Sequence, residues 1–268
     1  MELQVNGHKT YCYTGGKAFD AAKPTVVFIH GVLHDHSVWI LQSRYLANHG
    51  WNVLAVDLPG HCRSDGPPPA AVEEAAESII TLLDAAGVKQ ASLIGHSFGS
   101  LIALEAAARA PERINQLVLV GTAYPMKVSQ ALLEASLNEP EKGIQMINTF
   151  SRSTLAPPPS ALGPGTWVDG SSKALNRRVL ASNTKVNVFH TGFKACDSYA
   201  GGDEAIAKVA CPVLFVLGSM DQMTLPVAAQ SLVKLARNGK VVHLPVGHHQ
   251  MTEAPDAMLK ALIDFLKP

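Results

Sequence analysis

The sequence predicts one α/β domain built on a mostly parallel, doubly wound sheet that carries an inserted helical lid. Short apolar runs recur along the chain, as in strands that are buried on both faces. Segments with helical periodicity separate these runs, and such alternation is typical of a parallel sheet covered on both faces. The length of 268 residues is compatible with one undivided domain of this class.

The strands are predicted from the N-terminal residues onward. Asn6 and Gly7 lie between two β-prone stretches, and an Asn-Gly pair is the strongest short-range hairpin signal because both residues tolerate positive φ. We therefore expect a hairpin around this pair. Six apolar runs follow as candidate buried strands: residues 25–29, 51–56, 91–94, 116–120, 212–217 and 240–244.

Four helices are predicted most clearly. A glycine ends the first pattern and a proline ends the second, and both residue types stop helices. The third begins with a proline, which is tolerated in the first turn, and closes at a glycine. In chain order, these helical patterns cover residues 71–86, 101–110, 226–239 and 255–266.

The alternation of strands and helices lapses between residues 123 and 207, where the sequence contains no apolar strand run. Helical patches at 128–137 and 142–150 surround two proline-rich stretches in this region. Because the strand rhythm then resumes, we interpret residues 123–207 as a helical lid inserted into a core of residues 1–122 and 208–268. The alternative is a plain surface excursion, although structureless loops of this length are uncommon in compact domains.

Composition and charge disfavour several classes of function. The 22 basic residues balance the 22 acidic ones, so no excess charge attracts nucleic acid or anionic lipid. A hydrophobic share of 47% with 16% charged residues indicates a folded domain with a sizeable core. The apolar runs are far shorter than the ~18 residues of a membrane-spanning helix. We expect a small-molecule substrate and no nucleic-acid or membrane partner, and the sequence leaves the oligomeric state open.

Two features predict the cellular location. The first residues show neither the basic start nor the apolar stretch of a secretory signal. Cys12, Cys62, Cys196 and Cys211 are widely spaced and form no Cys-x-x-Cys pair, so neither a zinc site nor a disulfide framework is indicated. We therefore expect reduced thiols and a cytoplasmic protein.

A candidate nucleophile stands at Ser97. Residues 95–99 read Gly-His-Ser-Phe-Gly and match Gly-x-Ser-x-Gly, the turn that lifts a serine from a strand end into a helix start. The pattern alone is weak, because a chain of this length contains it by chance roughly one time in ten. Its position is specific, since it follows a predicted strand and precedes a predicted helix. The flanking glycines let the backbone bend without a Cβ clash.

A serine nucleophile needs a histidine base and a carboxylate that orients this histidine. Asp221 and His248 each lie just past a predicted strand, on the sheet edge where Ser97 also lies and where open α/β sheets place their sites. Among the eleven histidines, we favour His248 over its neighbour His249 because it directly follows Gly247, which permits a sharp turn. The chain order Ser, Asp, His is that of one known hydrolase architecture.

Five ordered motifs carry a resemblance to a known family. They are His30-Gly31 with Trp39, Asp57-Leu58-Pro59-Gly60-His61-x-x-Ser64, the turn at Ser97, Gly218-x-x-Asp221, and Gly247-His248 followed by Glu253-x-Pro255. With these motifs, nearly the whole chain resembles the α/β-hydrolase superfamily, in its lid-bearing serine esterase branch. The resemblance implies that Val32 and Phe98 donate backbone N–H groups to an oxyanion. Each such donor can lower the barrier by about 3 kcal/mol.

The departures from the family pattern narrow the choice of branch. Cys62 occupies a place where relatives usually carry glycine, which alters that loop but removes no catalytic group. A serine rather than an aspartate at position 97 argues against the dehalogenase and epoxide-hydrolase branches. Residues 31–34, Gly-Val-Leu-His, lack the Gly-Pro-Gly run of many carbon-carbon bond hydrolases, so that branch is less favoured.

Other polar residues provide rival interpretations. A metal-dependent hydrolase would also place imidazoles and a carboxylate after a strand, and the sequence offers His30, His34, Asp35 and His36. Their order lacks the ligand spacing of dinuclear hydrolases, so we predict no metal site and expect His30 to brace the oxyanion turn. Asp57 and His61 form a rival acid and base in a loop that the resemblance makes structural. His96 is interpreted as a packing or hydrogen-bonding residue.

The predicted function is that of a serine hydrolase that cleaves a small to medium, largely apolar carboxylic ester by two-step acyl transfer, with no metal or organic cofactor. Substrate contacts are predicted at Gly31, Leu33, Met126, Phe150 and Trp167. The alternatives are a carbon-carbon bond hydrolase or a thioesterase on the same residues, or a ligand-binding module that keeps them. Repeated turnover on generic esters separates an enzyme from a binding module.

Overall fold

One sheet organises the chain. The computed structural model describes residues 1–20, 22–153 and 168–267. The strands in these ranges are β1 (Glu2–Val5), β2 (His8–Tyr13), β3 (Thr25–Ile29), β4 (Asn52–Val56), β5 (Ala91–His96), β6 (Ile114–Val120), β7 (Val213–Gly218) and β8 (Gly239–Leu244). Their order across the sheet is β1-β2-β4-β3-β5-β6-β7-β8. Strands β3 to β8 run parallel to one another, whereas β1 and β2 are antiparallel to their neighbours.

The α-helices lie between the strands or after the last one, as the sequence predicts. They are α1 (Ile40–Asn48), α2 (Val72–Ala85), α3 (Phe98–Arg109), α4 (Gln130–Asn138), α5 (Pro140–Ser151), α6 (Val168–Ser182), α7 (Val188–Ser198), α8 (Gly202–Lys208), α9 (Gln230–Leu235), α10 (Gln250–Glu253) and α11 (Pro255–Phe265). Among the described residues, no helix is long and apolar enough to span a membrane.

Two hydrophobic layers hold the helices against the sheet. Successive strand residues point to opposite faces, so Val27 and Ile29 join the layer beneath α2, α3 and α8. Val26 and Phe28 join the other layer, beneath α1 and α11. Burial on both faces explains why the central strands appear in the sequence as unbroken apolar runs. The predicted class, a mostly parallel sheet with helices on both faces, is confirmed.

The predicted N-terminal hairpin is present. Val5 of β1 pairs with His8 of β2, and the two turn residues between them, Asn6 and Gly7, have φ of 51° and 77°. Both values lie in the left-handed region that this type of two-residue turn requires.

Three element predictions need correction. Helix α3 begins at Phe98 rather than at residue 101, because the helix starts directly after the turn at Ser97. The helix predicted over 226–239 is a 3₁₀ turn that continues into α9 and ends at Leu235. Strand β8 is not buried on both faces, because it is the edge strand of the sheet. An apolar run does not reveal whether a strand has one neighbour or two.

Helices α4 to α8 follow one another between β6 and β7, and the described part of this stretch contains no strand. Helix α8 packs against α3 and α9 of the sheet-covering layer. Helices α4, α5, α6 and α7 pack mainly among themselves, and a Cβ on Gly143 of α5 would lie 2.8 Å from the ring of Phe189 in α7. The division of the chain into a core and a lid at residues 123–207 stays a prediction.

Candidate active site

The turn at Ser97 joins β5 to α3. Its φ of 53° and ψ of −119° are unfavourable for a serine, and strain of this kind clusters at functional sites. A Cβ on Gly95 would overlap the carbonyl oxygen of Gly99, and a Cβ on Gly99 would overlap that of Ile29. Only glycine fits at either position, which explains the spacing of the motif. The turn thereby raises the serine above the C-terminal edge of the sheet.

Asp221 and His248 lie at the ends of β7 and β8. Nδ1 of His248 lies 2.7 Å from Oδ2 of Asp221, and both side chains are almost fully buried. Since the carboxylate accepts a hydrogen bond from Nδ1, Nε2 is the nitrogen left to take a proton. Ser97 and His248 line the same cavity. The Ser97 hydroxyl makes no hydrogen bond within the described part of the chain, and contacts between nucleophile and base often tighten only in complexes.

Thr224 completes the surroundings of this pair, and the sequence analysis missed it. Its hydroxyl lies 2.7 Å from Oδ2 of Asp221, 2.9 Å from the carbonyl oxygen of Gly121 and 3.0 Å from Nδ1 of His248. The backbone N–H groups of Met223 and Thr224 donate to Oδ1 of Asp221. Burial raises the pKa of Asp221, but His248 and these donors outweigh it and hold the pKa below its usual value. The carboxylate is therefore ionised at neutral pH.

A strained turn follows β3 and lies against the nucleophile. The N–H of His34 donates to the carbonyl oxygen of Gly31 at 3.3 Å, and Leu33 between them has a φ of 59°. Nδ1 of His30 donates to the same carbonyl at 2.8 Å, because Nε2 accepts from the N–H of Leu58. His30 thus braces this turn, as predicted.

The backbone N–H groups of Val32 and Phe98 belong to the two turns that meet here. Neither N–H has a protein acceptor among the described residues. A Cβ on Gly31 would lie 3.2 Å from Cβ of Ser97, so glycine allows the turns to approach. A Cβ on Gly192 of α7 would lie 3.1 Å from Cγ2 of Val32. The absence of a side chain there lets α7 cover the turn.

Two cavities adjoin Ser97. The larger has a volume of about 270 Å³. It is lined mainly by apolar side chains, among them Met126, Leu132, Met146, Phe150, Phe193 and Met223. The smaller, of about 30 Å³, is lined by Gly31, Val32, His34, His96, His249 and others. Helices α4, α5 and α7 supply much of the lining of the larger cavity.

The predicted substrate contacts divide into three groups. Met126 and Phe150 line the larger cavity, and Gly31 lines the smaller. Leu33 lines neither, because in the strained turn its fully buried side chain packs into the hydrophobic core. The prediction for Leu33 is therefore not supported by its position. Trp167 lies outside the described residues.

A family model described as the alpha/beta hydrolase fold matches residues 24–255. The chain belongs to this family. The resemblance to the α/β-hydrolase superfamily inferred from the sequence is thus confirmed, as is the prediction of an α/β-fold hydrolase.

Known members of the family match nearly the whole chain. The 3-oxoadipate enol-lactonase 2 of Acinetobacter baylyi is 24% identical over 250 residues, which cover 92% of this chain and 90% of the relative. An esterase from Exiguobacterium antarcticum superposes with a TM-score of 0.83 at 17% identity, and 98% of each chain is covered. The enol-lactonase of Burkholderia xenovorans LB400 superposes with a TM-score of 0.80 at 21% identity, and 99% of each chain is covered. These solved structures share the fold of this protein.

Three buried histidines surround His248 in this member of the family. Nε2 of His96 donates to the backbone carbonyl of His248 at 2.8 Å, and its ring lies 4.6 Å from that of His248 between centroids. The ring of His34 lies 5.7 Å from that of His96 and 5.1 Å from that of His249. Burial lowers the pKa of His34 to about 3 and holds the pKa values of His96 and His249 well below their usual range. These imidazoles are neutral at physiological pH.

The buried histidines predict that the protein loses stability in acid. Burial also lowers the pKa of His61 to about 4, whereas unfolded histidine titrates near pH 6.5. From about pH 6.5 down to about pH 4 the unfolded state therefore binds more protons, so the free energy of unfolding falls as the pH falls. Each such histidine contributes a slope of about 1.4 kcal/mol per pH unit.

Urea unfolding at a series of pH values measures this slope. Between pH 6 and 5, the free energy of unfolding of the His34→Gln variant is expected to change less steeply with pH than that of the unsubstituted protein. The expected difference corresponds to about one bound proton. An unfolding free energy that stays constant across this range, or a slope that His34→Gln leaves unchanged, would show that these imidazoles are not buried in the neutral form.

The rival metal site is only partly assembled. Ligand atoms of Asp35, His36 and Asp57 lie within 4.8 Å of one another, whereas His30 and His34 are not part of this group. Oδ2 of Asp35 pairs with Arg178 at 2.6 Å, and Oδ1 of Asp57 pairs with Nδ1 of His36 at 2.7 Å. Each carboxylate is thus engaged by protein donors.

Asp57 and His61, the alternative acid and base, are not paired with each other. His36, rather than His61, bonds the Asp57 carboxylate, and Nδ1 of His61 lies 3.0 Å from the carbonyl oxygen of Pro59. The loop is held together by these bonds, which agrees with a structural role. Cys62 in this loop has a φ of 45°, a conformation that favours glycine, which is the residue that the family resemblance leads us to expect there.

Proposed function

We propose that this protein is a serine hydrolase that cleaves a small to medium, largely apolar carboxylic ester. One observation carries the proposal: Ser97, His248 and Asp221 meet at one edge of the sheet, beside the N–H groups of Val32 and Phe98, which have no acceptor in the described part of the chain. A nucleophile, a base, a carboxylate and donors for a developing negative charge are the parts that acyl transfer needs.

The mechanism has two steps. Oγ of Ser97 attacks the substrate carbonyl while Nε2 of His248 takes its proton, and the N–H groups of Val32 and Phe98 stabilise the oxyanion. The imidazolium, which Asp221 stabilises, then protonates the leaving alcohol. Water attacks the acyl-enzyme with the same histidine as base, and the acid product leaves Ser97 free.

The larger cavity supports the choice of substrate class. Its volume of about 270 Å³ is slightly below the range of about 300 to 1,000 Å³ that is usual for ligand pockets, which favours small to medium molecules. Its wall is mainly apolar, and the lining Lys127 lies 4.0 Å from the carboxylate of Asp197. An uncharged acyl or alcohol group fits such a wall best.

We further propose that residues 123–207 act as a lid. Leu132 of α4, Phe150 of α5 and Phe193 of α7 all line the cavity next to Ser97, which supports this role. The lid then selects substrates by the space it leaves. Excision of this segment is expected to change the preference for acyl chain length.

The test is a panel of p-nitrophenyl esters from acetate to laurate, run beside thioesters, ring-cleavage diketones and small lactones. The lactones are included because a relative that matches nearly the whole chain is named an enol-lactonase, and a lactone is a cyclic ester. Repeated turnover that is highest on esters supports the proposal. Highest turnover on thioesters or diketones favours those alternatives, and at most one turnover per protein molecule indicates a ligand-binding module.

Leu132→Trp is expected to shift the preference towards shorter acyl chains. The side chain lines the larger cavity, so added bulk should lower kcat/KM for long esters by about tenfold or more and leave acetate within about twofold. Leu137→Trp is the matched control, because Leu137 lies on the same helix but is 53% exposed. Equal chain-length profiles for the two variants would contradict the assignment of this cavity to the substrate.

We also propose that the protein is located in the cytoplasm. The four cysteines, all within the described residues, are free thiols. Unpaired cysteines are usual in reducing compartments, which supports this location.

A further inference from the structure

A buried chain of amide groups connects the helices after β6 to the turn beside Ser97. Nδ2 of Asn176 in α6 donates to the carbonyl oxygen of Leu33 at 3.0 Å. Nδ2 of Asn148 in α5 donates to Oδ1 of Asn176 at 2.8 Å and to the carbonyl oxygen of Ile144. Asn148 and Asn176 are only 2% and 1% exposed. Loss of either bond therefore leaves a buried polar group without its partner, which is costly.

The bond to Leu33 reaches the strained part of the turn. Leu33 adopts the left-handed backbone conformation at a φ of 59°, which is unfavourable for a leucine and persists only when its surroundings impose it. His30 fixes the first carbonyl of the turn, at Gly31. Asn176 fixes the carbonyl two residues later. The N–H of Val32 belongs to the peptide whose carbonyl His30 holds. Asn176 holds the peptide two residues further along the same turn, so the direction of the Val32 N–H depends on both anchors.

Asn148 sets the direction of the Asn176 amide. Because Oδ1 of Asn176 accepts from Asn148, Nδ2 is the group that faces Leu33. If the Asn176 amide were reversed, its oxygen would face the carbonyl oxygen of Leu33 without a proton between them, and a buried polar pair of this kind is costly. The two asparagines thus act as one unit.

We propose that Asn176 is a positioning residue that holds the Val32 N–H in place as an oxyanion donor, with Asn148 orienting its amide. Through this bond α6 ties the oxyanion site to the helices that follow β6. The inference rests on the proposed function for the role of the Val32 N–H. The hold on the turn itself can be measured without any substrate.

The variant that tests this role is Asn176→Leu, which keeps the side-chain size and removes the donor. Gln116→Leu is the matched control. The side-chain amide of Gln116 is also buried and also donates to a backbone carbonyl, that of Phe265 at 2.9 Å, but it lies near the start of β6, away from the C-terminal edge that carries Ser97. Both variants lose a buried amide donor to a backbone carbonyl. They also lose the bonds that the amide oxygen accepts, from Asn148 in Asn176→Leu and from Ser92 and Lys267 in Gln116→Leu, so Gln116→Leu controls for a general loss of stability.

Three measurements separate positioning from a purely structural role. We expect Asn176→Leu to lower kcat about 10- to 100-fold, as small misplacements of catalytic groups do. Its affinity for a trifluoromethyl ketone, which forms an oxyanion on the serine, should fall by a similar factor. Its affinity for the corresponding unreactive ether should change less than about twofold, because the ether makes no oxyanion. Gln116→Leu should leave all three values within about twofold.

Amide hydrogen exchange tests the hold on the turn without any substrate. We expect the peptide that covers residues 31–36 to exchange at least about tenfold faster in Asn176→Leu and at an unchanged rate in Gln116→Leu. Faster exchange in a protein that hydrolyses no ester would overturn the proposed function and leave the hold on the turn established.

Two results would overturn the inference. Unchanged exchange with unchanged kcat would show that Asn176 does not hold the turn. An equal loss of affinity for the ketone and the ether would show that it shapes the cavity and not the oxyanion site. If Asn176→Leu does not fold, the same measurements on Asn148→Leu decide whether the inference holds. Its effects on kcat, affinity and exchange should have the same sign and be smaller.

Discussion

Ser97→Ala is expected to abolish ester turnover and leave the fold intact. In a hydrolase of known mechanism, removal of the nucleophile or the base lowers kcat on the order of 10⁶-fold, and we expect a loss of that order here. The Ser97 hydroxyl makes no hydrogen bond in the described part of the chain, so its removal should not change the unfolding midpoint appreciably. The loss is measured as kcat on a p-nitrophenyl ester, together with labelling by a fluorophosphonate.

Ser92→Ala provides the control for this variant. Ser92 is buried near the start of β5, the strand whose other end leads into the turn at Ser97. Its replacement should leave labelling and turnover unchanged. Activity retained in Ser97→Ala, especially activity that a chelator then removes, would show that another group attacks the substrate.

The second large effect separates His248 from its neighbour. His248→Ala is expected to lose several orders of magnitude in kcat, because the ring bonded to Asp221 is the one that carries the proton. His249→Ala should stay within about tenfold of the unsubstituted protein, since a residue outside the proton path is not needed as a base. The two rings are 6.1 Å apart between centroids and similarly buried, so each serves as the other's control.

Asp221→Asn extends this comparison to the carboxylate. The asparagine cannot fix the same histidine tautomer, and a loss of about 10⁴-fold is the value found for the corresponding change in a serine protease. A large loss in His249→Ala with little loss in His248→Ala would mean that the loop after β8 is assigned one residue out of place.

The parts of the site that follow strands could be predicted from sequence. Ser97, Asp221 and His248 each come just after an apolar run, and the parallel arrangement of β5, β7 and β8 brings the ends of those runs to one edge. Gly95 and Gly99 mark the tight turn because backbone atoms fill the space that a side chain would need. The local sequence pattern was sufficient to predict the site at these positions.

Contacts between distant segments could not be predicted in this way. Asn176 and Leu33 are 143 residues apart, and no local pattern pairs them. Leu33 is a further case, because neither its left-handed backbone conformation, which is unusual for a leucine, nor the packing of its side chain into the core follows from the sequence around it. Thr224 is an intermediate case: a hydroxyl residue three positions after an aspartate often bonds that side chain, and this signal could have identified it.

In the proposed mechanism, Ser97 carries the acyl group between two chemical steps. Mixing the protein with excess p-nitrophenyl acetate, quenching with acid at early times and mapping the peptides by mass spectrometry shows whether it does. We predict one acetyl group on Ser97, formed no more slowly than the steady-state turnover and absent from Ser97→Ala. Product formation with no acetyl group on the protein, or with the acetyl group on a different residue that Ser97→Ala leaves labelled, would contradict the account.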